Sequence, residues 1–97
     1  MPEIYNLIGL SYEMLNNKLE AISNFEKSLE LNPKSLSALV NLGNNYKDLK
    51  NYNKSEEFYK KLISIDANYL KAYGNYGNLL RMKNDYAGAI KQYQTGI

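Results

Sequence analysis

The chain contains no cysteine and no histidine, and these two absences exclude much of the chemistry that proteins perform. Without these residues there is no thiolate nucleophile, no imidazole base, no zinc knuckle and no haem axial histidine. The remaining candidates for catalysis are carboxylate pairs such as Glu26 and Glu30, which at helical spacing are typical of a solvated surface. We therefore expect a protein that is not an enzyme and that has no catalytic residues, no metal site and no cofactor.

A strong charge of either sign is also missing. The chain has twelve basic and ten acidic residues, which gives a net charge of +2. So weak a field provides little of the electrostatic attraction that nucleic-acid-binding proteins use. We expect no nucleic-acid partner.

Long hydrophobic runs are absent as well. No stretch approaches the roughly 18 consecutive apolar residues that a membrane-spanning helix requires, and no basic segment followed by an apolar run marks the N-terminus. Apolar residues make up 44% of the chain and charged residues 23%, as in ordinary globular proteins. We expect a soluble, cytoplasmic chain with no membrane partner, although a fragment cut from a longer protein could have lost such signals.

What the sequence does contain is a repeat. Gly9, Gly43 and Gly77 are separated by 34 residues in each case, and similar apolar and aromatic residues flank each of them. A period of this length indicates a stack of similar supersecondary units. The units span residues 2–35, 36–69 and, truncated, 70–97, and together they form one array.

Each unit reads as a helical hairpin. Apolar residues recur at intervals of three and four and are interrupted once, at Asn16–Asn17, Lys50–Asn51 and Asn84–Asp85. Asparagine tolerates the left-handed backbone that ends helices, and Asn or Asp caps the helix that follows. Pro33 ends the second helix of the first unit. The pattern predicts an all-α protein of about six helices, each about 12–14 residues long.

These residues resemble the tetratricopeptide repeat over residues 2–97. The diagnostic places of the first unit hold Tyr5, Ile8, Gly9, Tyr12, Ala21, Phe25 and Pro33. The departures are Lys18 for an aromatic residue, Ser55 for alanine, Glu56 for isoleucine and Ala67 for proline. The resemblance implies antiparallel helix-turn-helix hairpins stacked as a right-handed α-solenoid. It also implies a scaffold that binds a protein or peptide in a concave groove, which is lined by the first helix of each hairpin.

Tyrosine is unusually frequent, with ten residues. Nine of them fall at places that are normally buried in this repeat, and we expect these rings to pack in the core with each hydroxyl near a polar partner. The nine are Tyr5, Tyr12, Tyr46, Tyr52, Tyr59, Tyr73, Tyr76, Tyr86 and Tyr93.

Asparagine pairs mark the predicted groove in the second and third units. The register places Asn41 and Asn44 one turn apart on α-helical spacing, and Asn75 and Asn78 in the equivalent places. An amide has donors and an acceptor, so a ladder of amides can pair with the backbone of an extended peptide. The arrangement is similar to the asparagine ladder of the O-GlcNAc transferase repeats. The alternative is that these asparagines support packing between helices.

Basic side chains share the same predicted surface. Lys47, Lys71 and Arg81 face the groove, and Asp48 is the one acidic residue in that half. We therefore expect this half of the groove to attract a carboxylate, from an acidic segment or from a C-terminus.

A stricter comparison is with the carboxylate clamp by which cochaperone repeats hold the C-terminal tails of heat-shock chaperones. Asn41 and Lys71 match that clamp. Asn6, Leu10 and Asn75 stand where it requires lysine, asparagine and arginine. With two matches out of five, the resemblance argues against chaperone-tail binding.

The first unit has leucines instead of asparagines at the groove. Leu7 and Leu10 either form an apolar pocket for a ligand side chain or pack on an upstream repeat, and the sequence favours neither. At the two ends of the array, apolar residues lack a predicted partner: Ile4 and Met14 at one end, and Ile90, Tyr93 and Ile97 at the other. Such surfaces favour end-to-end stacking into homo-oligomers.

A second class of partner is suggested by the related pentatricopeptide repeats, which read RNA bases with a similar hairpin. The chain keeps the tetratricopeptide glycine and alanine landmarks and lacks a strong basic stripe. The sequence therefore favours a peptide over RNA.

Overall fold

The computed structural model describes the backbone of residues 1–97 and every side chain apart from that of Pro2. Its regular secondary structure consists of six α-helices joined by turns. The helices are α1 (Pro2–Met14), α2 (Lys18–Leu31), α3 (Leu36–Asp48), α4 (Tyr52–Ile65), α5 (Leu70–Met82) and α6 (Tyr86–Thr95). The predicted all-α fold of six helices is confirmed. Helix α6, with 10 residues, is shorter than predicted.

The turn inside each hairpin lies where the sequence placed it. Asn16, Lys50 and Asn84 have φ angles of 60°, 65° and 66°, which is the left-handed backbone. The following residue caps the next helix, because its side chain accepts a hydrogen bond from the backbone N–H three residues later. Lys50 adopts this conformation although lysine tolerates it less readily than asparagine does.

Glycine allows the two helices of each hairpin to approach closely. A Cβ atom on Gly43 would lie 2.5 Å from Cε1 of Tyr59, far inside normal contact distance. Gly9 faces the ring of Phe25 in the same way, and Gly77 faces that of Tyr93. One aromatic ring per hairpin therefore covers the glycine of the first helix, which explains the period of 34 in terms of packing.

The units stack through apolar clusters. Between the first and second units, the buried residues Ala21, Ile22 and Phe25 pack with Leu42. Between the second and third, Tyr59 packs with Tyr76, Leu79, Leu80 and Ala89. The core is therefore a continuous layer along the stack, with the first helices on one side and the second helices on the other.

Three departures from the repeat pattern have partners in the structure. Ser55 is fully buried, and its hydroxyl donates to the carbonyl oxygen of Gly43 at 2.7 Å. The ammonium of Lys18 lies 3.7 Å from the carboxylate of Asp48 in the next unit. The carbonyl of Ala67 accepts a 2.6 Å hydrogen bond from the hydroxyl of Tyr73. Side-chain polar contacts thus take the place of the usual packing at Ser55 and Lys18, whereas the contact at Ala67 uses only its backbone carbonyl.

Glu56, the fourth departure, joins the second unit to the third. The hydroxyl of Tyr76 donates to its Oε2 at 2.7 Å, and the ammonium of Lys83 donates to its Oε1 at 3.1 Å. Burial by itself would raise the pKa of Glu56. The two hydrogen bonds and the positive charges of Lys83 and Lys60 outweigh burial, so the pKa lies below its ordinary value.

This lowered pKa predicts a loss of stability in acid. A carboxyl group whose pKa is lower in the folded state contributes stability above its unfolded pKa, about 4.3 for Glu. That contribution is lost as the pH falls through the folded pKa. Glu56→Gln should therefore be less stable than the parent at pH 7 by a few tenths to about 1 kcal/mol, and the gap should close toward pH 3. Urea unfolding at several pH values measures the difference.

Glu57→Gln provides the matched control, because Glu57 is an exposed neighbour on the same helix. A gap for Glu56→Gln that stays constant from pH 7 to pH 3, or that Glu57→Gln reproduces, would contradict the role assigned to the Glu56 carboxylate.

The prediction that Tyr86 packs in the core is wrong, since 59% of it is exposed. The equivalent residue of the second unit, Tyr52, packs against the cluster around Tyr76 on the following unit. A residue at this place is covered by the next hairpin of the stack, and in the described chain no helix follows α6. The other eight tyrosines are buried or half-buried as predicted.

Candidate functional site

The first helices of the three units lie side by side and form one surface, here called the inner face. The amide Nδ2 of Asn41 on α3 donates to Oδ1 of Asn6 on α1 at 3.2 Å. Nδ2 of Asn45 donates to Oε1 of Glu13 on α1 at 3.1 Å. Helix α3 also contacts α5. The inner face thus runs across α1, α3 and α5, the helices that carry the residues predicted to line a groove.

Asn44 and Asn78 are each held by a tyrosine of their own hairpin. The hydroxyl of Tyr59 donates to Oδ1 of Asn44, and the hydroxyl of Tyr93 donates to Oδ1 of Asn78 at 2.5 Å. Burial raises the pKa of Tyr59, so its hydroxyl, which is protonated at neutral pH in any case, remains the donor. Each amide oxygen is therefore used inside the protein. Among the described residues, neither Nδ2 group has an acceptor, so each amide presents two donors.

The tyrosine–asparagine pairing follows a pattern that is visible in the sequence. In the second and third units, tyrosine at the ring position accompanies asparagine on the inner face. In the first unit, Phe25 has no hydroxyl, and Leu10 stands in place of the asparagine. The two positions change together between units, and this signal could have linked them before the structure was known. The same asparagine side chain therefore accepts a hydrogen bond that joins the two helices of its hairpin and keeps an Nδ2 group without an acceptor among the described residues.

The other two asparagines of the predicted ladder differ from each other. Asn41 uses its Nδ2 on Asn6, so its amide oxygen remains as an acceptor. Asn75 is half-buried and makes no side-chain hydrogen bond with the residues that the structure describes. The ladder thus consists of four amides in three different hydrogen-bonding states.

Asn45 was not anticipated from the sequence. It is fully buried, and its Nδ2 donates both to Glu13 and to the carbonyl of Asn41, the latter at 2.8 Å. Its Oδ1 has no hydrogen-bond partner among the described residues. The equivalent places hold Ser11 and Leu79, so no repeat pattern pointed to this amide.

The basic residues of the inner face are not neutralised by neighbouring carboxylates. Within the described part of the chain, Lys47, Lys71 and Arg81 have no carboxylate within 4 Å. Lys71 and Arg81 are exposed, and Lys47 is half-buried. Asp48, which the sequence placed in the same half, is paired with Lys18. The half of the inner face formed by α3 and α5 therefore has an excess of positive charge.

Leu7 and Leu10 have different surroundings. Leu10 is half-buried and packs on the cluster that contains Phe25 and Leu42. Leu7 is exposed and lines a cavity of about 390 Å³ between the N-terminal ends of α1 and α3, together with Asn6 and several serines. Although residues three apart share one side of a helix, Leu10 lies one turn further along α1, against the core cluster, and Leu7 lies at this polar cavity.

Metal and membrane sites were also sought in the structure. Among the residues it describes, no three acidic, histidine or cysteine side chains are grouped closely enough to hold a metal ion. No helix of the described chain has the length and apolar character needed to cross a bilayer. Glu26 and Glu30, the carboxylate pair considered for catalysis, are both exposed on α2.

The sequence matches the tetratricopeptide repeat family in three places. The matched residues are 2–35, 36–69 and 58–91. The first two matches coincide with the first two units read from the glycine spacing. The third overlaps the second and extends into the last unit.

Among curated proteins, the chain is 24% identical over 90 residues to the general transcriptional corepressor trfA of Dictyostelium discoideum. That match covers 93% of the chain and 6% of the relative. Across the curated relatives it matches, the chain spans only 6 to 38% of their length.

Solved structures of similar fold cover nearly the whole chain. The crystal structure of MamA superposes with a TM-score of 0.93 at 27% identity, and the match covers 98% of this chain and 56% of MamA. The first TPR domain of Spaghetti (RPAP3), bound to the HSP90 peptide SRMEEVD, superposes with a TM-score of 0.93 at 21% identity. It covers 98% of this chain and 75% of that one.

Proposed function

The chain belongs to the tetratricopeptide repeat family, and from this premise we propose that it is a non-catalytic scaffold that binds an extended peptide segment across its inner face. The observation that carries the proposal is the repeated pairing of Tyr59 with Asn44 and of Tyr93 with Asn78. Each tyrosine fixes the orientation of an amide whose two remaining donors have no protein acceptor. Backbone carbonyls of an extended peptide supply such acceptors irrespective of its sequence.

Charge indicates the class of peptide. Lys47, Lys71 and Arg81 lack carboxylate partners within the described residues, so an acidic segment or a C-terminal carboxylate complements this half of the face. The similar domain of Spaghetti holds the acidic HSP90 peptide SRMEEVD, which supports the capacity of this fold for such ligands. Asn6, Leu10 and Asn75 depart from the chaperone clamp, so the proposed ligand is an acidic segment other than a chaperone tail.

Acidic peptide libraries test the proposal. Fluorescein-labelled dodecamers containing several Asp and Glu residues, and the same peptides with Asn and Gln instead, are titrated with the protein and followed by anisotropy. We expect the acidic set to contain the tighter binders. The triple variant Asn44→Ala/Lys71→Ala/Asn78→Ala should bind them at least about tenfold more weakly, since it loses the two amides that tyrosines hold and one charge.

The control variant is Asn53→Ala/Lys61→Ala/Asn68→Ala, which removes the same residue types from exposed positions on α4 and the following loop. It should bind like the parent. If the groove and control variants bind the same peptides with equal affinity, the assignment of the inner face is wrong.

We also propose that the array associates with itself through its two ends. Ile4 on α1, Ile90 on α6 and Ile97, which follows α6, are 50%, 56% and 98% exposed, and they belong to the two ends of the stack. Exposed apolar faces of this kind are covered by a neighbouring unit in repeat proteins.

A further inference from the structure

The two junctions between units use the same three positions with opposite chemistry. In the second junction, Glu56 of α4 contacts Tyr76 and Lys83 of the next unit, and these three residues are here called the polar trio. The equivalent residues of the first junction are Ile22, Leu42 and Leu49, here called the apolar trio. Ile22 and Leu42 lie in one buried cluster. Each junction is thus matched within itself, either polar or apolar.

The two ends of the chain expose the two halves of a third such trio. At the N-terminal end, Ile8 and Leu15 stand at the places of Leu42 and Leu49, and they are 38% and 74% exposed. With Ser11 and Tyr12 they line an open cavity of about 310 Å³. At the C-terminal end, Ile90 stands at the place of Ile22 and is 56% exposed.

The N-terminal cavity discriminates between the two kinds of partner. Ile8 and Leu15 stand at the places of Tyr76 and Lys83, so a glutamate at the place of Glu56 would lose both polar partners on burial, which is costly. The Ser11 hydroxyl, which also lines the cavity, already donates to the carbonyl of Leu7. An isoleucine would instead bury apolar surface, as Ile22 does against Leu42. Ile22, Glu56 and Ile90 are the equivalent residues of the three units. Ile90 is the exposed one, and its side chain is apolar, as the cavity between Ile8 and Leu15 requires.

We infer that a second copy of this chain stacks head to tail on the first, with Ile90 of one copy packed into the Ile8–Leu15 cavity of the next, in the register of the α2–α3 junction. This inference rests on the proposed self-association and specifies its geometry. The contact joins two different surfaces, so it is heterologous and leaves one further end free on each side. Assemblies therefore grow with protein concentration and do not stop at a dimer.

Sedimentation equilibrium of the 97-residue chain tests the inference. We expect the average mass of the parent to rise steadily with concentration. Ile90→Glu should raise the concentration required for association by at least about tenfold, because it places a carboxylate against Ile8 and Leu15 without the tyrosine and lysine partners that Glu56 has. The control is Leu31→Glu, an equally drastic change at an exposed residue inside the array, which should associate like the parent.

A compensating variant makes the test specific. Ile90→Glu combined with Ile8→Tyr and Leu15→Lys recreates the polar trio between copies and should restore association. A triple variant that stays as dispersed as Ile90→Glu would overturn the proposed register. So would an Ile90→Glu variant that associates like the parent, although self-association itself would then stand.

A parent chain that remains monomeric at high micromolar concentration would overturn the proposed self-association and its register. It would point to additional repeats of a longer chain as the occupant of the end faces. Circular dichroism of each variant verifies that the helices are retained. Peptide binding by Ile90→Glu should equal that of the parent, which separates this result from the fate of the groove proposal.

Discussion

Tyr59→Ala is expected to lower the free energy of unfolding by about 3–5 kcal/mol, the usual cost of removing a large aromatic ring from a core. The ring of Tyr59 is fully buried, covers Gly43 within its own hairpin and packs with Tyr76 of the next unit. Its loss would leave a cavity that affects one hairpin and one junction at once. Small domains are stable by about 5–15 kcal/mol, so the variant should be close to unfolding. Urea denaturation followed by circular dichroism gives the value.

Tyr59→Phe separates the ring from its hydroxyl. This variant keeps the packing and loses only the hydrogen bond to Asn44, so it should cost about 0.5–1.5 kcal/mol. If the two substitutions were equally costly, the hydroxyl and not the packing of the ring would be the main contribution, and the account of this core would be wrong.

Gly43→Ala is expected to destabilise the protein by about 1–3 kcal/mol, although alanine is the better helix former. The added Cβ would lie 2.5 Å from Cε1 and 2.8 Å from Cδ1 of Tyr59. That ring is buried and its hydroxyl is bonded to Asn44, so it cannot move aside without disturbing the inner face. The helices α3 and α4 must therefore separate. The midpoint of urea unfolding measures the loss.

Gly74→Ala is the matched control, since Gly74 also lies inside a helix but a Cβ there would meet nothing within 4 Å. It should stabilise the protein by about 0.5–1 kcal/mol, because alanine loses less conformational freedom on folding than glycine. The opposite signs are the test. Equal effects at both positions would mean that helix propensity, and not contact with Tyr59, governs Gly43.

Much of the fold follows from the sequence because the signals that specify it are local. Apolar spacing of three and four residues predicts the helices, and Asn16 and Asn84 indicate the turns through the backbone conformation they tolerate. The 34-residue spacing of the glycines reports one close helix contact repeated three times. These features depend on residues within one hairpin, so they can be read along the chain.

The candidate site could be predicted only in outline. The register correctly placed Asn44 and Asn78 on the first helices, but the sequence left open whether they pack or remain available. The structure shows that the oxygen of each amide is bonded to tyrosine while the Nδ2 group has no partner among the described residues. Asn45 carried no signal at all, because its partner Glu13 is 32 residues away in the chain and is not repeated.

By itself, the sequence determined the helices, the turns, the repeat and the family, since each depends on short-range spacing or on a pattern that recurs every 34 residues. Only the tertiary structure decided which atoms of the inner-face amides remain unpaired, how Glu56 is accommodated by Tyr76 and Lys83, and that Tyr86 is exposed. These outcomes depend on which residue of the neighbouring helix or unit lies opposite. Stacking brings together residues that are distant in the chain, and a periodic pattern does not specify the positions at which the units differ.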